Sequence, residues 1–407
     1  MSRFAAPRCL EDMSNTANSP DTRTRVVVIG GGYAGTMAAN RLLVRPDIDI
    51  TVVNPRPVFV ERIRLHQHVA GTYRADIDYD NLLGKGIRLL VDSAGRIDTA
   101  GRRIELTSGA DLPYDYLIYA VGSTGAISPT VPGATEFAYS ISEFESGQRL
   151  LTRLSELVPD AAVTVVGGGL TGIETAAELA GRGRAVTLVC GGTLSSSLNA
   201  SGRRSVAKAL RKLGVEVLEA ATVAAVRADA VVLGDDRMLP SAVTVWTAGF
   251  GVPDLASDSG LATDTLGRLL TDETLTSIDS PRIVAAGDAV APAGRPLRMS
   301  CQAAIPLGAQ AADTVLARIA GTPPAALDQA FFSQCISLGR SAGTVQFTRR
   351  DDTPVRAFLG GRLAAAVKEM ICRATVWGIR REGVKPGSYR WLKGGTRAGS
   401  TEQEAAV

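Results

Sequence analysis

Histidine is almost absent from this chain: His66 and His68 are the only two in 407 residues. That leaves little room for imidazole acid–base chemistry or for a His-ligated metal. The five cysteines, Cys9, Cys190, Cys301, Cys335 and Cys372, are scattered, with no C-x-x-C or C-x4-C spacing. A local redox disulfide and a structural zinc are both disfavoured, and a reduced, cytoplasmic chain is expected. No apolar run reaches the roughly 18 residues of a membrane span. The net charge of +3 is too small to argue for a nucleic-acid partner. Residues 1–23 are polar, lack the apolar core of a secretory signal, and read as a disordered leader. The composition, 45% hydrophobic and 21% charged, suits two or three globular domains.

What the chain has in abundance is glycine at the ends of β-branched runs. Val26-Val27-Val28-Ile29 leads into Gly30, Gly32 and Gly35, a G-x-G-x-x-G spacing, and Tyr33 and Ala34 open an Ala-rich helix pattern. In such a loop the first glycine permits the tight turn and the second lets backbone approach a pyrophosphate. The third lets the helix pack against its strand. The helix N-terminus then offers unpaired N–H groups to the phosphates. The same pattern recurs at Gly167, Gly169 and Gly172, with Leu170 and Thr171 opening the second helix. Two mononucleotide-binding units account for much of the length.

Each unit departs from the pattern at the strand end where an acid ordinarily binds ribose. Asn54 stands there in the first, either as an uncharged ribose ligand or as a turn residue before Pro55. Cys190 stands there in the second, which leaves room for a 2′-phosphate and so for NADPH. The helix-like stretch Val58–Gln67 carries Arg62 and Arg64, directed at a cofactor or lying on a solvated face. The strand ending at Gly122 has a counterpart ending at Gly249. A buried strand closes on Gly287-Asp288, where the carboxylate can take sugar-alcohol hydroxyls or cap a helix. Residues 300–319 read as a helix, 331–347 as hairpin strands, and 362–381 as a helix. The latter sets Leu363, Val367, Met370, Ile371, Ala374 and Trp377 at spacings of three and four. The segment from Gly394 on reads as a disordered tail.

The fingerprint at 30–35, Tyr-Asp-Tyr-Leu-Ile-Tyr-Ala-Val-Gly at 114–122 and Val-Pro-Gly at 131–133 belong together with two later motifs. These are Gly-Gly-Gly-Leu-Thr-Gly-Ile-Glu at 167–174 and Gly-Asp at 287–288. Together they resemble the pyridine nucleotide-disulfide reductase superfamily, over about residues 25 to 320. Within it, Gly-Ile-Glu-Thr-Ala-Ala-Glu-Leu at 172–179, with no cysteine pair, is most similar to type II NADH dehydrogenases and apoptosis-inducing-factor-like flavoproteins. The resemblance implies an α/β fold with two Rossmann-like dinucleotide-binding domains and a small α+β C-terminal domain. It places FAD in a discontinuous domain (24–130 and 255–322), with Asp288 on the ribityl chain and Gly122 near the adenine half. NAD(P)H falls to 131–254, and an acceptor or interface domain to 323–393.

The resemblance also implies hydride transfer from NAD(P)H to the flavin, then electron transfer to a quinone-like small molecule. Gln302 matches the family's acceptor-side glutamine, whereas Pro306 and Leu307 replace its later ones. Glu174 lies near the nicotinamide, in a direct role or as a complement to the helix N-terminus. Two other outcomes stay open: a reductase for a small iron–sulfur carrier, and a slow flavin redox sensor acting through a partner. The C-terminal helix either packs on its own domain or meets the inner face of the cell membrane, and a homodimer is compatible with both.

Overall fold

The computed structural model describes residues 23–395. Nearly all of the expected leader and tail, and Cys9, lie outside the described residues. Thirteen strands and five helices position the site. In chain order the strands of the first two sheets are β1 (Thr24–Ile29), β2 (Ile48–Asn54), β3 (Ile87–Val91), β4 (Tyr116–Tyr119), β5 (Ala138–Ser140), β6 (Ala162–Val166), β7 (Ala185–Val189), β8 (Glu216–Leu218), β9 (Val243–Trp246) and β10 (Ile283–Ala285). The three that follow are β11 (Ser333–Ser337), β12 (Gly343–Thr348) and β13 (Pro354–Gly360). The helices are α1 (Tyr33–Leu42), α2 (Leu65–Val69), α3 (Leu170–Gly181), α4 (Cys301–Ile319) and α5 (Gly361–Val384).

Two parallel sheets repeat one plan. The first runs β10-β4-β1-β2-β3 and the second β5-β9-β6-β7-β8. In each, the central strand is flanked by the next strand in sequence on one side and by the strand that ends in a lone glycine on the other. Val26, Val28, Ile118 and Val284 of the first sheet, and Val165, Leu188 and Val245 of the second, are buried. Both faces are covered, as parallel sheets require. The chain passes from the first unit to the second, and back, through a short antiparallel ladder of Thr124–Gly125 with Phe250–Gly251. Crossing and return lie side by side, a few residues before the turn at Val131-Pro132-Gly133.

Helical periodicity over 58–67 misreads the first part of that stretch. Val58–Val60 is a strand paired with Asp76–Asp78, a 3-10 turn occupies Arg62–Arg64, and α2 starts only at Leu65. The β-branched Val58 and Val60 favour the extended form once a partner strand is supplied.

The C-terminal part is divided between the two units. Strands β11, β12 and β13 form an antiparallel sheet. Ile336 and Leu338 join the core of the second unit, whereas Val376 and Ile379 of α5 join that of the first. Helix α4 contains Pro306, which has no N–H to give the Gln302 carbonyl. That carbonyl accepts instead from Gln329 Nε2 at 3.0 Å. Gly308 lies against the backbone of Ala34, so α1 and α4 cross where any side chain would collide.

The end of α5 is stapled down by charge. Glu382, fully buried, pairs with Arg41 at 3.1 Å and accepts from the N–H groups of Gly387 (2.8 Å) and Tyr389 (2.7 Å). Arg41 also meets Asp313 of α4 at 2.6 Å. Removing one member of such a buried network leaves its partners uncompensated. Glu382→Ala is expected to cost about 3 kcal/mol in a urea titration. The same change at exposed Glu156 should cost no more than about 0.5 kcal/mol. Equal costs would remove the network from the account of how α5 is held.

Candidate functional site

The two glycine loops have matching geometry. Gly30 (φ 99°) and Gly167 (φ 120°) take backbone conformations that side chains avoid. A Cβ on Gly35 would run into the Gly30 carbonyl oxygen, and one on Gly172 into that of Gly167, so both helices start close against their strands. At the middle positions, Gly32 and Gly169, a Cβ would meet nothing within 4 Å. These are open cradles beside helix N-termini, and neither α1 nor α3 has a side-chain cap. Their first N–H groups are thus left for an anionic group beside each open cradle, as dinucleotide phosphates need.

Around the first cradle, Asn54 does not behave as a free ribose ligand. Its Oδ1 accepts from Gly31 N–H at 3.0 Å and its Nδ2 donates to Arg56 O at 2.8 Å. Tyr79 Oη donates to Gly31 O at 2.7 Å, so the loop is fixed from both sides. Tyr33 is buried edge-on against Phe59, with ring centres 5.1 Å apart. The loop faces Gly287, where a Cβ would lie 3.2 Å from that of Ala34. Asp288 accepts from Ser123 Oγ at 2.7 Å, and Arg62 Nη1 donates to Ser123 O at 2.7 Å, beside Gly122. Arg62, Gly122, Ser123 and Asp288 therefore form one rim; Ser123 had no motif to reveal it.

Arg64 is used differently from the expectation that it reaches a cofactor. It makes a two-point contact with Glu369 of α5 (2.9 and 3.1 Å), lies near Glu61, and stacks over Tyr73 at 4.3 Å. Hydrogen bonding to Arg64 holds the Glu369 carboxyl down at about 2, burial opposing it. This arginine anchors α5.

Around the second cradle, Cys190 packs against the loop: a Cβ on Gly168 would be 2.8 Å from that of Cys190. Burial pushes its thiol up to about 12. Leu170 and Thr171 open α3, and Thr171 O accepts from Thr175 Oγ1 at 2.7 Å. Gly249 backs onto the Ala126 carbonyl at the domain crossing.

Glu174 neither caps α3 nor faces water. It is buried, accepts from Ser337 N–H at 2.8 Å, and pairs with Lys368 Nζ at 3.0 Å. Lys368 also donates to Cys335 O at 3.2 Å. His66 Nδ1 lies 3.7 Å from the same carboxylate. Burial works against both charges, yet each partner favours the other: the carboxyl is lowered and the ammonium raised. Burial dominates at His66 and brings it down to about 4, so it is neutral at pH 7. A cavity of about 360 Å³ connects Lys368 and Ser337 to solvent past Gln67, Arg340 and Arg362. Lys368 was missed because, although it is the single lysine of α5, the helix also carries four arginines and nothing in its neighbourhood points to Glu174.

Gln302 sits at the start of α4. With its amide oriented so that both ends are satisfied, Nε2 donates to Ser333 O (2.9 Å) and Oε1 accepts from Phe332 N–H (3.2 Å). It fixes the approach to β11. Among the described residues no cluster of His, Cys, Asp or Glu is arranged to hold a metal.

Comparison with known proteins agrees with this geometry. Residues 24–308 match the family described as pyridine nucleotide-disulphide oxidoreductase. An NADH dehydrogenase-like protein of Mycobacterium tuberculosis is 34% identical over 352 residues, 79% of this chain and 87% of that protein. The type II NADH:quinone oxidoreductase Ndh of the same species is 28% identical over 352 residues, 75% of each. Among solved structures, the sulfide:quinone oxidoreductase of Aquifex aeolicus superposes with a TM-score of 0.76 at 19% identity, covering 89% of this chain and 93% of that one. NDH2 from Plasmodium falciparum gives 0.75 at 15%, covering 89% and 97%. With two open glycine cradles and a family match across both of them, the chain belongs to the pyridine nucleotide-disulphide oxidoreductase family, as a flavin-dependent NAD(P)H oxidoreductase.

Proposed function

We propose that this protein oxidises NAD(P)H through FAD and passes the electrons to a quinone-like acceptor at a membrane surface. The observation that carries this reading is the outer face of α5. Leu363, Met370, Trp377 and Val384 recur every seven residues and are 63%, 61%, 59% and 88% exposed. Arg362, Arg373, Arg380 and Arg381 flank them on the same helix. An apolar stripe bordered by arginines suits an anionic bilayer surface, where a lipid-soluble acceptor resides. No helix among the described residues is long and apolar enough to cross the bilayer, so the attachment would be peripheral. The quinone relatives favour the same acceptor class.

FAD, when bound, accepts hydride and releases electrons; the chain's residues position it and move protons. The first cradle would take its pyrophosphate, with Asp288 and Arg62 at the rim. The second would take that of NAD(P)H. Glu174 and Lys368 hold a proton between them, and the adjoining cavity lets Lys368 exchange it with water. Quinone reduction consumes protons, which this arrangement supplies without a histidine. The domain division at about 131, 255 and 323 follows the same assignment.

An acceptor panel on the purified yellow protein, with NADH and with NADPH, tests the core of the reading. Rapid reduction of an artificial quinone is expected. Turnover only with a ferredoxin-like carrier, lost in high salt, would favour the carrier reductase.

Three variants extend the test. Asp288→Ala should weaken flavin retention by about tenfold, since a buried hydroxyl loses its partner; unchanged flavin content would take Asp288 out of the site. Lys368→Gln should slow flavin reoxidation by quinone about tenfold or more while flavin reduction by NADH changes little. Equal slowing of both halves would argue against a proton role. Trp377→Glu with Met370→Glu should abolish sedimentation with anionic liposomes at low salt. Absence of liposome binding by the unaltered chain rejects the membrane contact. Light scattering would then show whether the stripe joins two copies instead.

A further inference from the structure

Cys190 occupies the strand end where an acid would contact the adenosine ribose, and its half-buried, protonated thiol carries no charge. Taken alone, that leaves the second cradle without a means of rejecting a 2′-phosphate. The adjacent strand alters the picture. β8 pairs with β7 in parallel, with Leu218 opposite Val189, and Cys190 N–H donates to Leu218 O at 3.0 Å. The next residue along β8 is Glu219. Its carboxylate accepts from Leu194 N–H at 2.7 Å, on the loop that follows Cys190. That loop is itself tied to the phosphate-binding turn, since Ser195 N–H donates to Gly168 O at 2.8 Å. Gly191 and Gly192 exchange further backbone bonds with Ala221 and Ala220. The Glu219 carboxylate is therefore held by backbone on the same rim as Cys190 and Gly168, and its negative field is among the influences acting on the Cys190 thiol.

Resting on the assignment of the second cradle to the pyridine nucleotide, we propose that Glu219 replaces the missing ribose acid from the neighbouring strand and makes the protein select NADH over NADPH. A carboxylate at this rim accepts hydrogen bonds from ribose hydroxyls and repels a phosphate dianion. The charge is supplied across the sheet rather than along the strand. Because Glu219 is exposed, the repulsion is partly screened by water and by salt.

The test is competitive binding of NAD⁺ and NADP⁺ to the FAD-loaded protein, followed by titration calorimetry, with kcat/KM for NADH and NADPH measured in parallel. Glu219→Gln keeps an acceptor oxygen for Leu194 N–H and removes the charge; Glu219→Lys reverses it. The unaltered protein should favour NAD⁺ by tenfold or more at low salt. Glu219→Gln should narrow that ratio at least threefold, chiefly through tighter NADP⁺ binding, and Glu219→Lys should narrow it further. Raising the salt to half molar should narrow it in the unaltered protein and leave Glu219→Gln unmoved. A starting ratio near one, a preference for NADP⁺, or a ratio unchanged in Glu219→Gln with intact flavin content overturns the inference and leaves the oxidoreductase reading standing. Failure to bind either dinucleotide overturns both.

Discussion

A single buried carboxylate governs how the parts of this molecule meet. Glu174 belongs to the helix of the second glycine loop, yet its partners lie elsewhere: Ser337 on β11 and Lys368 on α5. Burying a lone carboxylate is prohibitively unfavourable, and burying an ion pair roughly breaks even when every lone pair is satisfied. Here one oxygen receives both an ammonium and a backbone N–H, and the other faces His66. The interaction thus specifies geometry more than it adds stability. Sliding α5 or the β11 strand relative to α3 would strand a charge in the interior. Arg64 with Glu369, and Arg41 with Glu382, repeat the device along the same helix. Helix α5 is clamped at three points by ions drawn from both units.

The duplicated loops show what the fold dictates and what it leaves open. Backbone closeness at Gly35 and Gly172 follows from strand–turn–helix geometry, so it recurs unchanged. The strand-end residue is under no such constraint. Asn54 turns inward to hold Gly31, whereas Cys190 fills space against Gly168. An acid is not needed at either place to hold the loop, since Asn54 and Cys190 each make other contacts with it.

The phosphate loops, the long helices and the Gly-Asp strand were legible because short-range sterics fix them. The fate of the charged side chains was not, since it depends on partners far along the chain, 61 residues away for Arg62 and 305 for Arg64. Arg62 and Arg64 illustrate this: two positions apart and chemically identical, one meets Ser123 and the other Glu369. The apolar spacing of α5 was legible too, but not its division. Ala364, Cys372, Val376 and Ile379 face inward, whereas Leu363, Met370 and Trp377 face outward. A helix with two apolar stripes satisfies a periodicity test on either, and only packing decides which is core. The strand at Val58–Val60 was hidden for a similar reason, its partner being the short strand Asp76–Asp78 beyond α2.

Three thiols, Cys301, Cys335 and Cys372, lie within electrostatic reach of Lys368, although sequence separates them widely. Burial raises all three, Cys301 to about 11. The nearby ammonium would favour thiolate, but burial outweighs it at each thiol. At neutral pH these groups are protonated, and a thiol is a poor nucleophile and a poor partner for disulfide exchange. The interior beside Lys368 therefore offers proton-holding groups and no nucleophile. Chemistry in this site must come from the cofactor, with the chain contributing position, charge and access. On that division of labour, the acceptor side proposed above is the place where α5 and the cavity beside it meet the exterior, away from the glycine cradles.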